Sequence, residues 1–304
     1  MEDTNAAIIE KINELKKKHN AIVVAHNFQL AEVQDIADYV GDAMDIIRTA
    51  VESEADVIIF CGVTCMAETA AMLCPEKVVI LPDLNAGCTL SNMITIGRFN
   101  EKREKNPDAT VVSFINVPPE VKAEADILCT AVDAIKTIEE MPADKEIMFI
   151  PDQYLGDYVA GQADRELILW PGYCSTHVKI RPEDVEAQKE AHPDAKVVAH
   201  LLCIPQVKAL ADIVTGTKGM LEYARETDAK EIIVATEIGL LHRLQKENPE
   251  KTFIIASERA VCATMKIIKT ESILWSLENM GPRVEVSEEI IEKAKAGLET
   301  LLKE

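Results

Sequence analysis

An internal repeat constrains the fold of this chain more than any other feature of its sequence. Three segments each begin with a short apolar run, pass through an Ala-Asp pair, and end at a cysteine, namely Cys88, Cys174 and Cys262. The cysteines lie 86 and 88 residues apart. A fixed period is typical of chains built from copies of one structural unit. The sequence therefore predicts three modules, although average domain length alone would suggest about two domains for 304 residues.

Within each segment, buried apolar runs alternate with amphipathic stretches, which favours strands alternating with helices. The first apolar runs span residues 21–26, 110–116 and 197–200. Strand and helix in alternation predict parallel sheets covered by helices, with right-handed crossovers. We expect an α/β fold of three pseudo-equivalent three-layer αβα modules, with small parallel sheets of three strands around a central site. The predicted modules are residues 1–87 together with 263–304, residues 88–173, and residues 174–262.

The net charge of −20 argues against two classes of partner, because an acidic surface repels nucleic acid and anionic membranes. Small-molecule substrates remain compatible with it, since helix N-termini can hold an anion inside an acidic protein. The sequence shows no signal peptide and no apolar stretch that could cross a bilayer. We therefore expect a cytoplasmic protein whose cysteines bind metal, act in catalysis or are buried.

The three repeat cysteines are predicted to converge on the centre shared by the modules. Three thiolates are one fewer than a closed structural zinc site or a fully ligated iron–sulfur cluster contains, so one coordination position would stay open. The alternative is that they are small buried core residues. Cys61 and Cys65 have a spacing that would suit a second metal, but their position after a strand favours core packing. Three further cysteines are interpreted as structural: Cys74, Cys129 and Cys203.

Polar residues end the first apolar run of each segment, and we interpret His26, Asn116 and His200 as repeat equivalents that face the centre. Such groups bind carboxylates or transfer protons. The alternative is a structural role in hydrogen bonding. For His177, three residues after Cys174, we favour a role in supporting that ligand; the alternatives are that it binds metal itself or acts as an acid.

The segments after the Ala-Asp pairs are predicted to begin helices near Ala43, Ala131 and Thr217. Exposed N–H groups at a helix start can hold a phosphate or carboxylate, although ordinary helix starts would give the same pattern. Glu237 and His242 are predicted to line the site.

Short motifs along nearly the full chain resemble those of the quinolinate synthase family, and it is their order that is specific. The motifs are Ala25-His26-Asn27 with Gln29, Asp35-Ile36-Ala37-Asp38 with Gly41-Asp42, Met66-Ala67-Glu68, Ala86-Gly87-Cys88, Trp170-Pro171-Gly172 with Cys174, Thr176-His177, Ala199-His200, Thr236-Glu237, and Cys262 with Met265-Lys266.

The resemblance implies a three-module α/β enzyme with a [4Fe-4S] cluster held by Cys88, Cys174 and Cys262. It implies condensation of iminoaspartate with dihydroxyacetone phosphate to quinolinate in NAD biosynthesis. The unligated iron would act as a Lewis acid. It also implies the iron–sulfur assembly machinery as a partner.

The chain departs from the family at five positions of the implied pocket. Phe28 and Phe114 stand where the family usually has tyrosine, Ala43 and Ala131 where it has serine, and Leu202 where it has glutamate. A hydrogen bond to a charged group contributes about 1.5–3 kcal/mol, so these losses would weaken anion binding. The predicted substrate pocket comprises Phe28, Ala43, Phe114, Ala131, Leu202 and Thr217, with His26, Asn116 and His200 as catalytic candidates.

Two alternatives to quinolinate synthesis stay open at this point. One is a divergent relative whose open iron dehydrates or cyclises a different small substrate. The other is a non-catalytic iron–sulfur sensor or carrier. The strand-end histidines His26 and His200 favour an enzyme over the sensor.

Overall fold

Each of the three repeats forms one parallel, four-stranded β-sheet with helices packed on it. The computed structural model describes the backbone of residues 2–303 and the side chains of residues 6–302. Met1 and Glu304, the terminal residues of the predicted first module, lie outside the described residues. The predicted α/β class with three small parallel sheets is confirmed.

The first repeat forms a sheet with the strand order β2-β1-β3-β4. Its buried runs form strands because they are rich in Val and Ile, which suit a sheet covered on both faces. Its elements are α1 Glu2–Lys18, β1 Ala21–His26, α2 Ala31–Ile36, β2 Tyr39–Gly41, α3 Ala43–Glu52, β3 Val57–Cys61, α4 Thr64–Leu73 and β4 Val78–Ile80.

The second repeat has the same topology, with the strand order β6-β5-β7-β8. Its elements are α5 Ile96–Lys105, β5 Thr110–Phe114, α6 Pro119–Glu124, β6 Ile127–Cys129, α7 Ala134–Glu139, β7 Ile147–Ile150, α8 Gln153–Ala163 and β8 Ile168–Leu169.

The third repeat follows the same plan, with the strand order β10-β9-β11-β12. Its elements are α9 Pro182–Ala191, β9 Lys196–His200, α10 Pro205–Lys208, β10 Ile213–Thr215, α11 Thr217–Glu226, β11 Glu231–Ala235, α12 Leu240–Glu247 and β12 Thr252–Ile255. The chain closes with α13 Thr270–Asn279 and α14 Glu288–Lys303. Three short 3₁₀ turns each begin three residues after a repeat cysteine: Ser91–Met93, His177–Lys179 and Met265–Ile267.

The prediction of three strands per sheet is wrong, because each sheet gains the short edge strand β2, β6 or β10. The Ala-Asp pairs explain these strands. In each repeat the aspartate carboxylate accepts a 2.8 Å hydrogen bond from a valine N–H of the first strand, and thereby sets the edge strand beside it. The three pairs are Asp38 with Val23, Asp126 with Val111, and Asp212 with Val197.

The described residues divide into two compact units. The first contains the residues up to Cys88, Pro118–Glu124 and the residues from Ala263 onward, so it includes the first sheet, α6, α13 and α14. Within it, α14 packs against α4 and α6. The second unit contains Thr89–Val117 and Ala125–Cys262, and therefore the other two sheets. Among residues 2–303, no helix combines the length and the apolar character that crossing a bilayer requires.

Candidate functional site

The three repeat cysteines are held in the same way within their own modules. In each case a backbone N–H at the start of the segment after the third strand donates to the carbonyl two residues before the cysteine. The bonds are Thr64 to Ala86 at 2.8 Å, Gln153 to Gly172 at 2.8 Å, and Ile238 to Ala260 at 3.0 Å. This repeated bond makes Cys88, Cys174 and Cys262 equivalent positions of the fold.

Exposure separates these three cysteines from the other five. All eight are free thiols, and Cys88, Cys174 and Cys262 are partly exposed. The buried ones are Cys61, Cys65, Cys74, Cys129 and Cys203. Burial raises the pKa of Cys74 to about 11 and that of Cys203 to about 12. These two therefore stay protonated, whereas a metal ligand must be a thiolate, in agreement with their predicted structural role.

Two buried carboxylates bind the backbone of two of these cysteines. Asp152 Oδ2 accepts from Cys174 N–H at 3.0 Å, and Glu237 Oε1 accepts from Cys262 N–H at 3.0 Å. Each lies two residues after the third strand of its sheet, where the first repeat has Val63. Sequence reasoning missed Asp152 and gave Glu237 only a lining role. Aligning the three repeats at this position would have found the pair.

The same carboxylates also hold the adjoining helix starts. Asp152 Oδ1 caps α8 by accepting from the N–H groups of Tyr154 and Leu155, both at 2.9 Å. Burial raises the pKa of Asp152 to about 6, and its hydrogen bonds from backbone N–H groups oppose that rise. Glu237 Oε2 accepts from Gly239 N–H at 2.6 Å. Each carboxylate thus fixes a cysteine loop to the segment after a strand.

His177 contacts Cys174 directly, which confirms the predicted supporting position. Its Nδ1 lies 3.1 Å from Cys174 Sγ, and its Nε2 lies 2.9 Å from the hydroxyl of Thr236. If Cys174 is a thiolate, Nδ1–H donates to sulfur and the Thr236 hydroxyl donates to Nε2. The ring stacks on that of His200, with centroids 4.2 Å apart.

The strand-end histidines His26 and His200 each accept a hydrogen bond from the backbone two residues later. This bond fixes the tautomer of each ring. His26 Nδ1 accepts from Phe28 N–H at 3.1 Å, and His200 Nδ1 accepts from Leu202 N–H at 3.2 Å. A neutral ring that accepts at Nδ1 carries its proton on Nε2. Burial, with a smaller effect of the Lys208 charge, lowers the pKa of His200 to about 3. At neutral pH His200 is therefore an uncharged hydrogen-bond donor.

The predicted equivalence of Asn116 with the two histidines is wrong. In the strand register, His26 pairs with Gly41, Phe114 with Cys129, and His200 with Thr215. Phe114 is thus the counterpart of the histidines, and Asn116 is the counterpart of Phe28 and Leu202. The prediction matched the run by its polar residue, but the hydrogen-bonded strand ends two residues earlier.

The buried pocket candidates are otherwise mainly apolar. Phe28, Phe114 and Leu202 are buried, with His26 and Phe28 rings 4.6 Å apart. The Oδ1 atom of Asn116 is buried and has no hydrogen-bond partner in the described part of the chain. A buried acceptor in this state favours a ligand that donates to it.

Two of the three predicted helix starts are confirmed. Ala43 begins α3, which Asp42 caps, and Thr217 begins α11. The prediction for Ala131 is wrong, because α7 begins at Ala134. There the Thr130 hydroxyl bonds the Asp133 carboxylate and accepts from Asp133 N–H, which keeps the intervening residues in a turn.

Gly172 packs closely in the Cys174 loop, because a Cβ there would collide with the carbonyl oxygen of Pro151. We expect Gly172→Ala to lower the free energy of unfolding by about 1–3 kcal/mol, as overpacking does. Urea denaturation would measure it. Gly161→Ala is the control, since a Cβ at that helix position meets no atom within 4 Å and should not destabilise. Equal stability of both variants would contradict the close approach.

The donor set suits an iron–sulfur cluster better than a single metal ion. Three partly exposed cysteines at equivalent positions supply soft sulfur donors of the kind that such clusters bind. Among residues 2–303, no group of three or more His, Cys, Asp or Glu side chains is placed to hold one metal ion. A cluster distributes its thiolates over different iron atoms, so it does not require convergence on one ion.

Comparison with known proteins gives one consistent result. The family model NadA, described as quinolinate synthetase A protein, matches residues 10–303. A quinolinate synthase of Dehalococcoides mccartyi strain CBDB1 is 48% identical over 296 residues, covering 97% of this chain and 98% of the relative. Quinolinate synthases of Methanosarcina barkeri strain Fusaro and Desulforudis audaxviator strain MP104C are 44% and 43% identical, and cover 98% and 99% of this chain.

Proposed function

Because this chain belongs to the quinolinate synthetase A family, we propose that it is a quinolinate synthase, which condenses iminoaspartate with dihydroxyacetone phosphate in NAD biosynthesis. The observation that carries this conclusion is the extent of the match. The relatives named quinolinate synthase align over 97–99% of the chain, so the aligned region spans both units and the positions of all three repeat cysteines. A shared module alone would have aligned over one third.

We further propose that Cys88, Cys174 and Cys262 hold a [4Fe-4S] cluster. Their equivalent backbone anchors, their partial exposure and the hydrogen bond between His177 and Cys174 support this assignment. When bound, such a cluster with three thiolate ligands supplies a Lewis-acidic iron with an open position.

The chain's own residues would bind and orient the substrates. His26 and His200 present Nε2–H groups, which donate to carboxylate or phosphate oxygens without adding charge. Asn116 adds an amide, and Thr217 adds a hydroxyl at the first turn of α11, where the helix dipole favours an anion. Phe28, Phe114 and Leu202, with Ala43 and Ala131, would shape the pocket and exclude water without donating hydrogen bonds.

A second candidate function follows from those apolar residues. Three of the predicted pocket positions carry buried Phe or Leu side chains, which cannot bond the carboxylates of iminoaspartate. A cluster enzyme that dehydrates or cyclises a less polar substrate would use the same scaffold. The sensor alternative has no such observation in its favour.

Anaerobic reconstitution followed by an activity assay tests the proposal. We expect protein loaded with iron and sulfide to form quinolinate from iminoaspartate and dihydroxyacetone phosphate, measured by mass spectrometry. Omitting dihydroxyacetone phosphate is the control. Absence of quinolinate from fully loaded protein would reject the first function, and turnover of a less polar keto acid would then support the second.

We also infer that the protein works in the cytoplasm and receives its cluster from the iron–sulfur assembly machinery. Eight free thiols are maintained most readily in a reducing compartment. An iron–sulfur cluster of this kind needs thiolates that have not been oxidised to disulfides.

A further inference from the structure

The short helix after the first strand carries a buried polar side chain at the same position in every repeat. Gln34, Lys122 and Lys208 each donate their backbone N–H to the residue just before the helix, at 3.0, 3.0 and 3.2 Å. The three residues are 5%, 1% and 7% exposed. Burying an ammonium group is costly unless other groups compensate its charge. The burial of Lys122 and Lys208 therefore requires an explanation.

Each lysine donates a hydrogen bond to the equivalent position of a neighbouring helix. Lys122 Nζ donates to the carbonyl oxygen of Cys65 at 3.3 Å, and Lys208 Nζ donates to that of Tyr154 at 2.6 Å. Cys65 and Tyr154 are the second residues of α4 and α8, the helices that follow the third strands of their sheets. The contact thus joins a lysine of one repeat to the repeat before it, within one compact unit in each case.

That helix start also holds a repeat cysteine. In the first unit, Thr64 donates its N–H and hydroxyl to Ala86, two residues before Cys88. In the second unit, Asp152 accepts from the N–H groups of Tyr154 and Cys174. Each lysine therefore bonds a helix start to which the loop of a proposed cluster ligand is also anchored.

Negative groups lie near both lysines, and for Lys122 they include Cys88. Burial lowers the pKa of Lys122, while the charges of Cys65, Glu68 and Cys88 raise it. Burial lowers the pKa of Lys208 to about 8, and the carboxylates of Asp152 and Asp157 oppose that effect. At neutral pH Lys208 is mostly protonated.

In the first repeat, a neutral side chain stabilises the turn between the first strand and the short helix. Gln34 Nε2 donates to the carbonyl oxygens of Asn27 and Gln29, at 3.2 and 2.9 Å. Lys208 bonds the equivalent carbonyl, that of Leu201, at 3.3 Å. A neutral amide thus stabilises this turn as well, so stabilising the turn does not by itself explain the positive charge of the two lysines.

We propose that Lys122 and Lys208 are positioning residues whose buried positive charges compensate the thiolates of Cys88 and Cys174 and raise the reduction potential of the bound cluster. This inference rests on the proposed [4Fe-4S] cofactor. A thiolate-ligated cluster carries a negative charge that grows on reduction, and a nearby cation stabilises the reduced form. Two positive charges, each bonded to the helix start that anchors one cysteine loop, would therefore favour reduction.

Lys122→Gln and Lys208→Gln test the inference, because glutamine is the side chain that the first repeat already has at this position. We expect each substitution to shift the midpoint potential of the reconstituted holoenzyme to a more negative value, and the double variant to shift it further. Spectroscopic redox titration would measure it. The control is Lys251→Gln, since Lys251 is as buried as Lys208, at 7% exposed, but precedes β12 and bonds Ala224 and Thr227.

The outcomes separate this inference from the proposed cofactor. If the wild-type protein loads iron and sulfide but both Lys→Gln variants keep its potential, the inference is wrong and the cofactor stands. Failure of the wild-type protein to load rejects both. Where a Lys→Gln variant does not load, Lys→Arg at the same position decides: loading only with arginine supports the charge, and loading with neither side chain overturns it.

Discussion

Cys174→Ser is expected to lower quinolinate formation by at least about 100-fold and to reduce the iron and sulfide bound after reconstitution. Changing a residue that merely supports a ligand typically costs 10–100-fold in metal affinity, so losing a ligand should cost more. Serine is also a poor substitute, because its hydroxyl is not deprotonated at neutral pH. Iron and acid-labile sulfide analysis, together with the quinolinate assay, would measure the two effects.

The control for this prediction is a cysteine outside the equivalent set. Cys74 is buried, and its thiol bonds the carbonyl of Ala70 within its own helix end. We expect Cys74→Ala to load iron and sulfide as the wild-type protein does. If Cys174→Ser also loads normally and is active, Cys174 is not a cluster ligand.

Asp152→Ala is expected to cause the largest loss of stability, about 3 kcal/mol or more in the free energy of unfolding. It removes the acceptor of three backbone N–H groups, those of Tyr154, Leu155 and Cys174. Each buried donor left without a partner costs about 1–3 kcal/mol, and the recovered cost of burying the carboxylate offsets part of the sum. Chemical denaturation of the metal-free protein would measure the loss.

The free energy of unfolding of Asp152→Asn should lie between those of the wild-type protein and Asp152→Ala, because the asparagine amide oxygen still accepts hydrogen bonds. Thr95→Ala is the matched control: Thr95 caps α5 through one 3.4 Å hydrogen bond at an exposed site, so its loss should cost about 0.5–1 kcal/mol. An unfolding free energy of Asp152→Ala close to that of the control would show that this carboxylate does not hold the loop.

The sequence predicted the elements that periodicity can reveal. The apolar runs that became β1, β5 and β9, and the equivalence of the three cysteines, follow from patterns repeated along the chain. The edge strands were missed because three residues are too few to show a period of two. Their formation depends on an aspartate carboxylate that bonds a valine 15 residues earlier in the chain.

The candidate site was less predictable, because its geometry depends on contacts between distant residues. Asp152 resembles any helix N-cap until its bond to Cys174, 22 residues later, is known. Asn116 was misplaced by two residues because strand ends are set by hydrogen bonding rather than by polarity. The lysines on α6 and α10 were missed because a single lysine near a helix end usually indicates exposure.

The length of the outer strands has a consequence for the chain before it has finished folding. The outer strands of the three sheets contain only two to four residues each. Unpaired strand edges recruit other chains into aggregates in proportion to the row of free N–H and C=O groups they offer. Edges this short present few such groups, so nascent copies of this protein should seldom pair with one another.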